Sequence, residues 1–589
     1  KALVNQRDLS LAYSPGVAYP CLDIEKDPAL AAEYTSRGNL VGVITNGTAV
    51  LGLGDIGPLA SKPVMEGKGC LFKKFAGVDV FDIELAEHDP DKLVDIIAAM
   101  EPTLGGINLE DIKAPECFYI EKKLRERLSI PVFHDDQHGT AIISSAALLN
   151  GLELVGKKIG EVKLAVSGAG AAAIACLDLM VNLGVKTENI FVCDSKGLIQ
   201  SERADALAGK LDESKQRFCQ VTSARTLADV VDGADVFLGC SAAGVLTADM
   251  VKTMADKPLI LALANPEPEI RPELAKAVRP DCITATGRSD YPNQVNNVLC
   301  FPYIFRGALD CGATKITEAM KLACVRQIAD LAKAEISDEV AAAYPGRELR
   351  FGPDYLIPTP FDSRLILRIA PAVAEAAAAS GVATRPIADI KAYRESLSQF
   401  VTNTGLFMRP LFLGAKAAPK KRIAYAEGED DRVLRAAQIA VDEGLAFPIL
   451  VGRPDVIDMR IERAGLRLKP GVNCDVVNPG KDDRFRQYYE AYHRLRARDG
   501  ITPDLAKVVV RRSNSLIATM LVKMGDADGM ICGVIGRYDL HLEHIRDVIG
   551  VRPGAQCLAA LNALILDNHN LFIADTFVNE DPTAEQLAD

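Results

Sequence analysis

No stretch of the chain comes near the roughly 18 consecutive apolar residues of a membrane span, so no transmembrane helix is expected. No basic block is present either. The 67 Lys and Arg stand against 79 Asp and Glu, a net charge of −12, which argues against nucleic acid as a main partner. The 14 cysteines never form a CxxC pair, so finger-type metal sites are not expected. Most sit in apolar runs, as Cys176 does in "AAAIACLDLM", and read as reduced core residues of a cytoplasmic protein. No secretory signal is visible. The chain lacks an initial methionine and, with "RDLSLAYSPG" close behind Lys1, reads as starting partway into a domain.

What is present is an ordinary globular composition, 49% hydrophobic and 25% charged. A length of 589 residues suggests about three or four domains. Residues 151–330 alternate β-rich runs with Ala-rich helical runs, such as "VKLAVSG", "AAAIACLDLMVNLG" and "NIFVCDS". That rhythm predicts an α/β fold with parallel sheets. Further buried strands are expected in 233–240 and 258–266, and a helix ended by Gly381 in 371–381. "LGAKAAPKKR" reads as linker, and strand–helix–strand alternation restarts near residue 421. The expected division is 1–150, 151–395, a linker over 396–420, and 421–589.

The strongest local motif is "VKLAVSGAGAAAIACLDL", a GxGxxA turn between a strand and a helix. Gly168 permits the tight turn. Gly170, beside Ala169, lets backbone approach a pyrophosphate. Ala173 lets the helix pack close, and the helix N-terminus favours phosphate charge. Asp194 ends the next strand, where an acid normally takes the ribose hydroxyls of NAD. Ser195 and Lys196 follow at once and suit a 2′-phosphate, which favours NADP over NAD. A second glycine spacing, "LGLGDIG" (51–57), is interrupted by Pro58 and Pro63 and reads as a loop beside the cleft.

Between residues 105 and 140 two acidic pairs end two β-runs: Glu110 and Asp111 after "GGINL", Asp135 and Asp136 after "IPVFH". An amphipathic helix over 115–128 separates them. The β-α-β pattern predicts parallel neighbouring strands, with both pairs at the carboxyl edge of one sheet. Converging carboxylates repel unless a cation sits among them, and oxygen ligands suit Mg²⁺ or Mn²⁺. The alternatives are two separate solvated loop acids, or a zinc site using His134 and His138. The zinc motif needs both histidines on one helix face and a glutamate base; here Pro131 and Val132 point to a strand. The histidines read as hydrogen-bonding or packing residues.

Seven ordered motifs carry a family resemblance: "AYSPGV", "PVMEGKGCLFKKFAG", "GINLEDIKAPE", "VFHDDQHGTA", "SGAGAA", "ALANP" and "GRSDYPNQVNNVLCFP". Together they resemble malic enzyme, most closely the large bacterial NADP-dependent hybrid type, over about residues 1–400. The resemblance implies a malic-enzyme N-terminal α/β domain and a Rossmann-like dinucleotide-binding domain. It implies oxidative decarboxylation of L-malate to pyruvate and CO₂ with reduction of NADP⁺, and a homo-oligomer built on a dimer. By resemblance, Lys68 takes the C2 hydroxyl proton, with Asp135 close by. That role requires a lowered lysine pKa, with Lys73 and Lys74 among the candidate sources of positive charge. Glu110, Asp111 and Asp136 are the implied metal ligands and Tyr13 the acid that protonates C3. Asn265 and Asn296 are the implied contacts to cofactor and malate. One departure stands out. Relatives of the large animal and plant type carry an arginine just before "LGLGD", where this chain has Ala49 and Val50. Backbone amides near Gly16 and Gly47, with the two asparagines Asn265 and Asn296, are then candidates to hold the malate carboxylate.

"YAEGEDDRVLRAA" and "GLAFPILVGRP" resemble the first half of a phosphate acetyltransferase domain. The resemblance implies a partial α/β domain without acetyltransferase activity, acetyl-CoA as an effector, a part in assembly, and exposed apolar surface. Two rival readings remain open: a β-hydroxyacid dehydrogenase that does not decarboxylate, and an acetyl-CoA-responsive assembly protein with a silent catalytic half.

Overall fold

A computed structural model describes residues 5–50, 52–336, 340, 344, 349–398, 405–566, 570–576, 578–579 and 581–588. The chain divides into two units, Lys1–Val401 and Thr402–Asp589. Leu51, the first residue of the second glycine spacing, lies outside the described residues, as do residues 399–404.

In the first unit, β1 (Leu40–Thr45) is buried along its whole length, as befits a strand covered on both faces. It anchors a parallel sheet in the order β2-β1-β3-β4, with β2 at Asp79–Glu84, β3 at Gly106–Leu109 and β4 at Val132–His134. The expected neighbours are neighbours: Leu109 pairs with His134, and the helix Glu116–Arg127 lies between them in sequence. Both strands stop one residue short of the expected acids. Asp111 turns into the left-handed region at φ 53°, and Asp135 opens a 21-residue helix, Asp135–Val155. The helix Pro58–Ala76 starts on a proline, stops at Gly77 in the left-handed conformation, and buries Met65, Lys68, Phe72 and Ala76. That spacing places Lys68 on the face turned inward.

A second sheet runs β10-β9-β8-β5-β6-β7. Its strands are β5 (Leu164–Ser167), β6 (Ile190–Asp194), β7 (Gly197–Leu198), β8 (Val236–Gly239), β9 (Leu259–Ala262) and β10 (Ile283–Thr286). All pairs are parallel except β6 with β7. Strand order reverses between β5 and β8, the crevice where open α/β sheets bind ligands. The helix Asp135–Val155 ends beneath this sheet: a Cβ on Gly151 would stand 2.8 Å from a methyl of Leu259 in β9. The helix Leu365–Ala379 is followed by Gly381 at φ 70°.

In the second unit, residues 405–417 form a helix inside the stretch expected to be linker. A parallel sheet then runs β13-β12-β11-β14, from β11 (Lys421–Tyr425), β12 (Ala446–Val451), β13 (Asp475–Val477) and β14 (Gly529–Ile531). A separate hairpin, β15 (Leu561–Ile565) with β16 (Asn570–Ala574), follows. Ile531, Ile535, Tyr538, Leu561 and Phe572 are exposed, as expected of this unit. The cysteines are all unbonded, and eight, Cys176 among them, are buried.

Candidate active site

The first sheet brings three distant segments together. Lys68 is 8% exposed, Glu110 6% and Asp135 fully buried. The Lys68 ammonium donates to Glu110 Oε1 at 2.8 Å and to Asp135 Oδ2, and it lies 4.1 Å from the centre of the Phe301 ring. Burial alone would push this ammonium down. Asp135 and Glu110 pull it up harder, and the pKa ends well above the usual lysine value. The resting lysine is therefore an ammonium, where the base role requires a lowered pKa. Lys73 does not supply the expected positive charge; its ammonium is bound to Asp79 on the surface at 2.7 Å, and Lys74 is exposed beside it. Burial pushes the Glu110 and Asp135 carboxyls up, and Lys68 opposes the rise in both.

Glu110, Asp111 and Asp136 each present one carboxylate oxygen within 4.8 Å of the others. Asp136 also accepts the backbone N–H of Asp111 at 3.0 Å, which ties the end of β3 to the helix after β4. Counting Asp135, four carboxylates gather here, and the Lys68 ammonium is bonded to two of them. An all-oxygen donor set with excess negative charge fits a hard divalent cation, Mg²⁺ or Mn²⁺, and not zinc. His134 borders this set, its Nδ1 3.8 Å from Asp136 Oδ2, and His138 is engaged elsewhere. His138 Nε2 lies 2.8 Å from Glu121 and its Nδ1 3.2 Å from the ammonium of Lys321. Burial raises the Glu121 carboxyl, but His138 pulls it down to about 2. His134 is buried with no hydrogen bond to either ring nitrogen among the described residues.

At the second sheet, Gly168 has φ 106°, and a Cβ there would stand 2.4 Å from the Cys240 carbonyl oxygen. Gly170 caps the helix Ala171–Leu183 and would point a Cβ into open space, where a ligand can approach. Ala169 and Ala173 are buried. Gly168→Ala combines a steric clash with a left-handed backbone, so it is expected to cost about 1–3 kcal/mol locally. Dinucleotide affinity should fall at least about tenfold; titration calorimetry with NADP⁺ and NAD⁺ checks it. Asp194 ends β6, and Ser195 and Lys196 are exposed on the turn to β7. Asn265 is exposed and close to the "LGLGDIG" segment and to Gly287. Its backbone oxygen would stand 3.3 Å from a Cβ on Gly52, and its amide 2.9 Å from one on Gly287. The "LGLGDIG" segment thus borders the cleft.

Four expected residues are placed elsewhere or already engaged. Tyr13 is 71% exposed after the helix Gln6–Ala12, and no hydrogen bond links it to Lys68 among the described residues. The Asn296 side chain caps a short helical turn through the Val298 N–H. The amides of Gly16 and Gly47 already donate, to the Ser10 carbonyl and the Thr45 hydroxyl, so they are not available to grip a carboxylate. Two residues escape sequence reasoning. Asn297 reaches the Asp135 carbonyl at 3.4 Å and accepts from Thr140 at 3.2 Å. Had Asn296 been read as a helix cap, Asn297 would have been the asparagine left for the site. Arg203 binds Asp194, and no motif signals it.

A family described as "Malic enzyme, N-terminal domain" matches residues 1–125, and "Malic enzyme, NAD binding domain" matches 137–348. The NADP-dependent malic enzyme of Haemophilus influenzae is 61% identical across 100% of this chain and 77% of its own length. The chain belongs to the malic enzyme family. An NAD-dependent malic enzyme of Rhizobium meliloti is 60% identical over 100% of this chain and 76% of its own length. Overall similarity to malic enzymes therefore does not decide between the two cofactors. The crystal structure of malic enzyme from Pyrococcus horikoshii superposes with a TM-score of 0.62 at 41% identity, covering 70% of this chain and 92% of that one. Residues 406–589 match the family "Phosphate acetyl/butaryl transferase". Among the described residues of this malic enzyme, no helix is long and apolar enough to cross a membrane.

Proposed function

We propose that the chain oxidatively decarboxylates L-malate to pyruvate and CO₂, passing hydride to NADP⁺ at the second sheet. The observation that carries this reading is the buried Lys68–Asp135–Glu110 cluster beside the three-carboxylate oxygen site. Lys68 takes the proton from the C2 hydroxyl. To do so it must first shed its own proton, and Asp135, buried and bonded to it, is the group placed to receive one. A bound nicotinamide would accept the hydride from C2, after which the C3–C4 bond breaks to release CO₂. Glu110, Asp111 and Asp136 would hold Mg²⁺ or Mn²⁺, which when bound supplies the Lewis acidity that draws electrons from the breaking bond. Phe301, over the ammonium, helps to keep water from the lysine. Tyr13 is the assigned proton donor to C3; it stands outside the cluster, so that assignment rests on its motif alone. Asn265 borders the cofactor cleft, Asn296 shapes the turn beside it, and Asn297 is the asparagine in contact with the Asp135 backbone.

The dinucleotide is held by Gly168, Ala169, Gly170 and Ala173, with Asp194, Ser195 and Lys196 at the adenosine end. Cytoplasmic location, homo-oligomeric assembly, and the divisions 1–150, 151–395 and 421–589 belong to the same reading. The second unit is assigned to regulation by acetyl-CoA and to assembly, supported by its family match. The deciding assay follows malate with NADP⁺ and Mn²⁺ by product. Pyruvate and CO₂ are expected in step with NADPH; oxaloacetate accumulating without CO₂ would favour the plain dehydrogenase.

A further inference from the structure

Asp194 sits where a dinucleotide site usually presents a carboxylate to the ribose of NAD. In this structure that carboxylate is already spoken for. Oδ1 accepts from Arg203 Nη1 and from the backbone N–H of Lys196, each at 2.8 Å, and Oδ2 accepts from Arg203 Nη2 at 3.0 Å. The other side of the same guanidinium grips Asp205, at 2.7 Å from Nε and 2.9 Å from Nη2, and Nη1 also reaches the Gly197 carbonyl at 3.3 Å. These five bonds use all the N–H groups a guanidinium has. The pair is well shielded, with the Arg203 side chain 11% and the Asp194 side chain 14% exposed. Arg203 is thus not a spare anion-binding finger. Its charge and its hydrogen bonds are shared between Asp205 and the very acid that would select NAD.

The neighbouring groups point the same way. Ser195 and Lys196 are exposed on the turn just past Asp194. The Lys196 side chain is 69% exposed and, among the described residues, its ammonium makes one long ion pair, 3.5 Å to Asp205. A surface pair of that length is readily exchanged for a phosphate dianion.

We propose that Arg203 is a positioning residue for cofactor choice: by clamping Asp194 it cancels the carboxylate that would accept the ribose hydroxyls and repel a 2′-phosphate, and leaves that phosphate to Ser195 and Lys196. The inference rests on the reading of this cleft as a nicotinamide dinucleotide site. It differs from a direct contact, in which the guanidinium itself would bind the phosphate.

The test uses the full chain and two probes of the adenosine end, 2′,5′-ADP and 5′-AMP, with affinities from titration calorimetry. The parent should bind 2′,5′-ADP at least about tenfold more tightly than 5′-AMP. Arg203→Gln frees the Asp194 charge, so 2′,5′-ADP should weaken by about tenfold or more while 5′-AMP changes by less than about threefold. The double variant Arg203→Gln with Asp194→Asn should recover 2′,5′-ADP binding, because no charge is left to clamp. No recovery would show direct contact and overturn the inference. An equal loss for both probes would show a merely structural role and overturn it too. Should Arg203→Gln fail to fold, Asp194→Asn alone decides. Tight 2′,5′-ADP binding with 5′-AMP unchanged supports the clamp, and at least about tenfold loss of 5′-AMP refutes it. A parent that binds both probes equally sinks the inference but leaves the cleft reading standing. A parent that binds neither probe nor NADP⁺ sinks the cleft reading itself.

Discussion

Lys68→Ala is expected to lower malate turnover by about 10²–10⁴-fold, the range for loss of a positioned general base. NADP⁺ affinity should hold, because the glycine turn belongs to a different sheet. The substitution has a second signature that separates it from a nonspecific lesion. It strips the one ammonium bonded to Asp135 and Glu110 among the described residues, two carboxyls that burial already raises and Lys68 holds down. Leaving buried charge unpaired costs about 3–5 kcal/mol. Without the lysine both folded-state pKa values climb further above the unfolded value of about 4. The folded form then binds more protons than the unfolded form, so stability falls as pH rises through the raised values and returns as pH is lowered toward the unfolded one. In metal-free buffer the melting temperature of the variant should therefore trail the parent most at pH 8 and approach it near pH 5. A constant gap across that range would mean that the carboxylates are not coupled to Lys68. Unchanged turnover would remove Lys68 from the mechanism.

Asp136→Asn is expected to weaken Mn²⁺ binding by more than about 100-fold, since even partners outside the ligand set cost 10–100-fold. Asparagine keeps the shape and can still accept the Asp111 N–H, so the loss isolates the charge. Turnover at low Mn²⁺ should vanish, and a large excess of Mn²⁺ should restore part of it. NADP⁺ binding should stay within about threefold of the parent. Manganese titration followed by electron paramagnetic resonance reads the affinity directly. Unaltered Mn²⁺ binding would dissolve the proposed ligand set.

The β-α-β unit around residues 106–134 was legible because its strands are short apolar runs and its helix is amphipathic, so both acidic pairs were placed at one sheet edge. Periodicity did not show that the strand yields to a helix at Asp135. A helix buried on most sides has no polar stripe to announce it; of the residues in Asp135–Val155, most are buried. The same blindness hid one of the lysine's partners. The resemblance set Asp135 beside Lys68, but Glu110 is 42 residues away in sequence and the motif that carries Lys68 says nothing of its bond to the ammonium. Asp194, Ser195 and Lys196 were found as a motif, whereas Arg203 lies in "SERAD", which looks like any solvated turn. The helix over 405–417 went unread because Pro410 sits within it and the basic run after it resembles a connector.

The helix Asp135–Val155 carries Asp135 and Asp136 in its first turn and rests Gly151 on β9 near its last. A helix of that length is about 1.5 Å per residue of stiff rod. One rod thus serves as the ruler between the acid-lined end and the dinucleotide sheet. It has a consequence for building chimaeras from relatives with different cofactors. A splice anywhere between Asp135 and Gly151 joins two ends that must keep phase as well as length, because each added or removed residue rotates one end about 100° against the other. Exchanges are expected to succeed when they take this helix whole and to fail when they cut it, whatever the identity of the two parents.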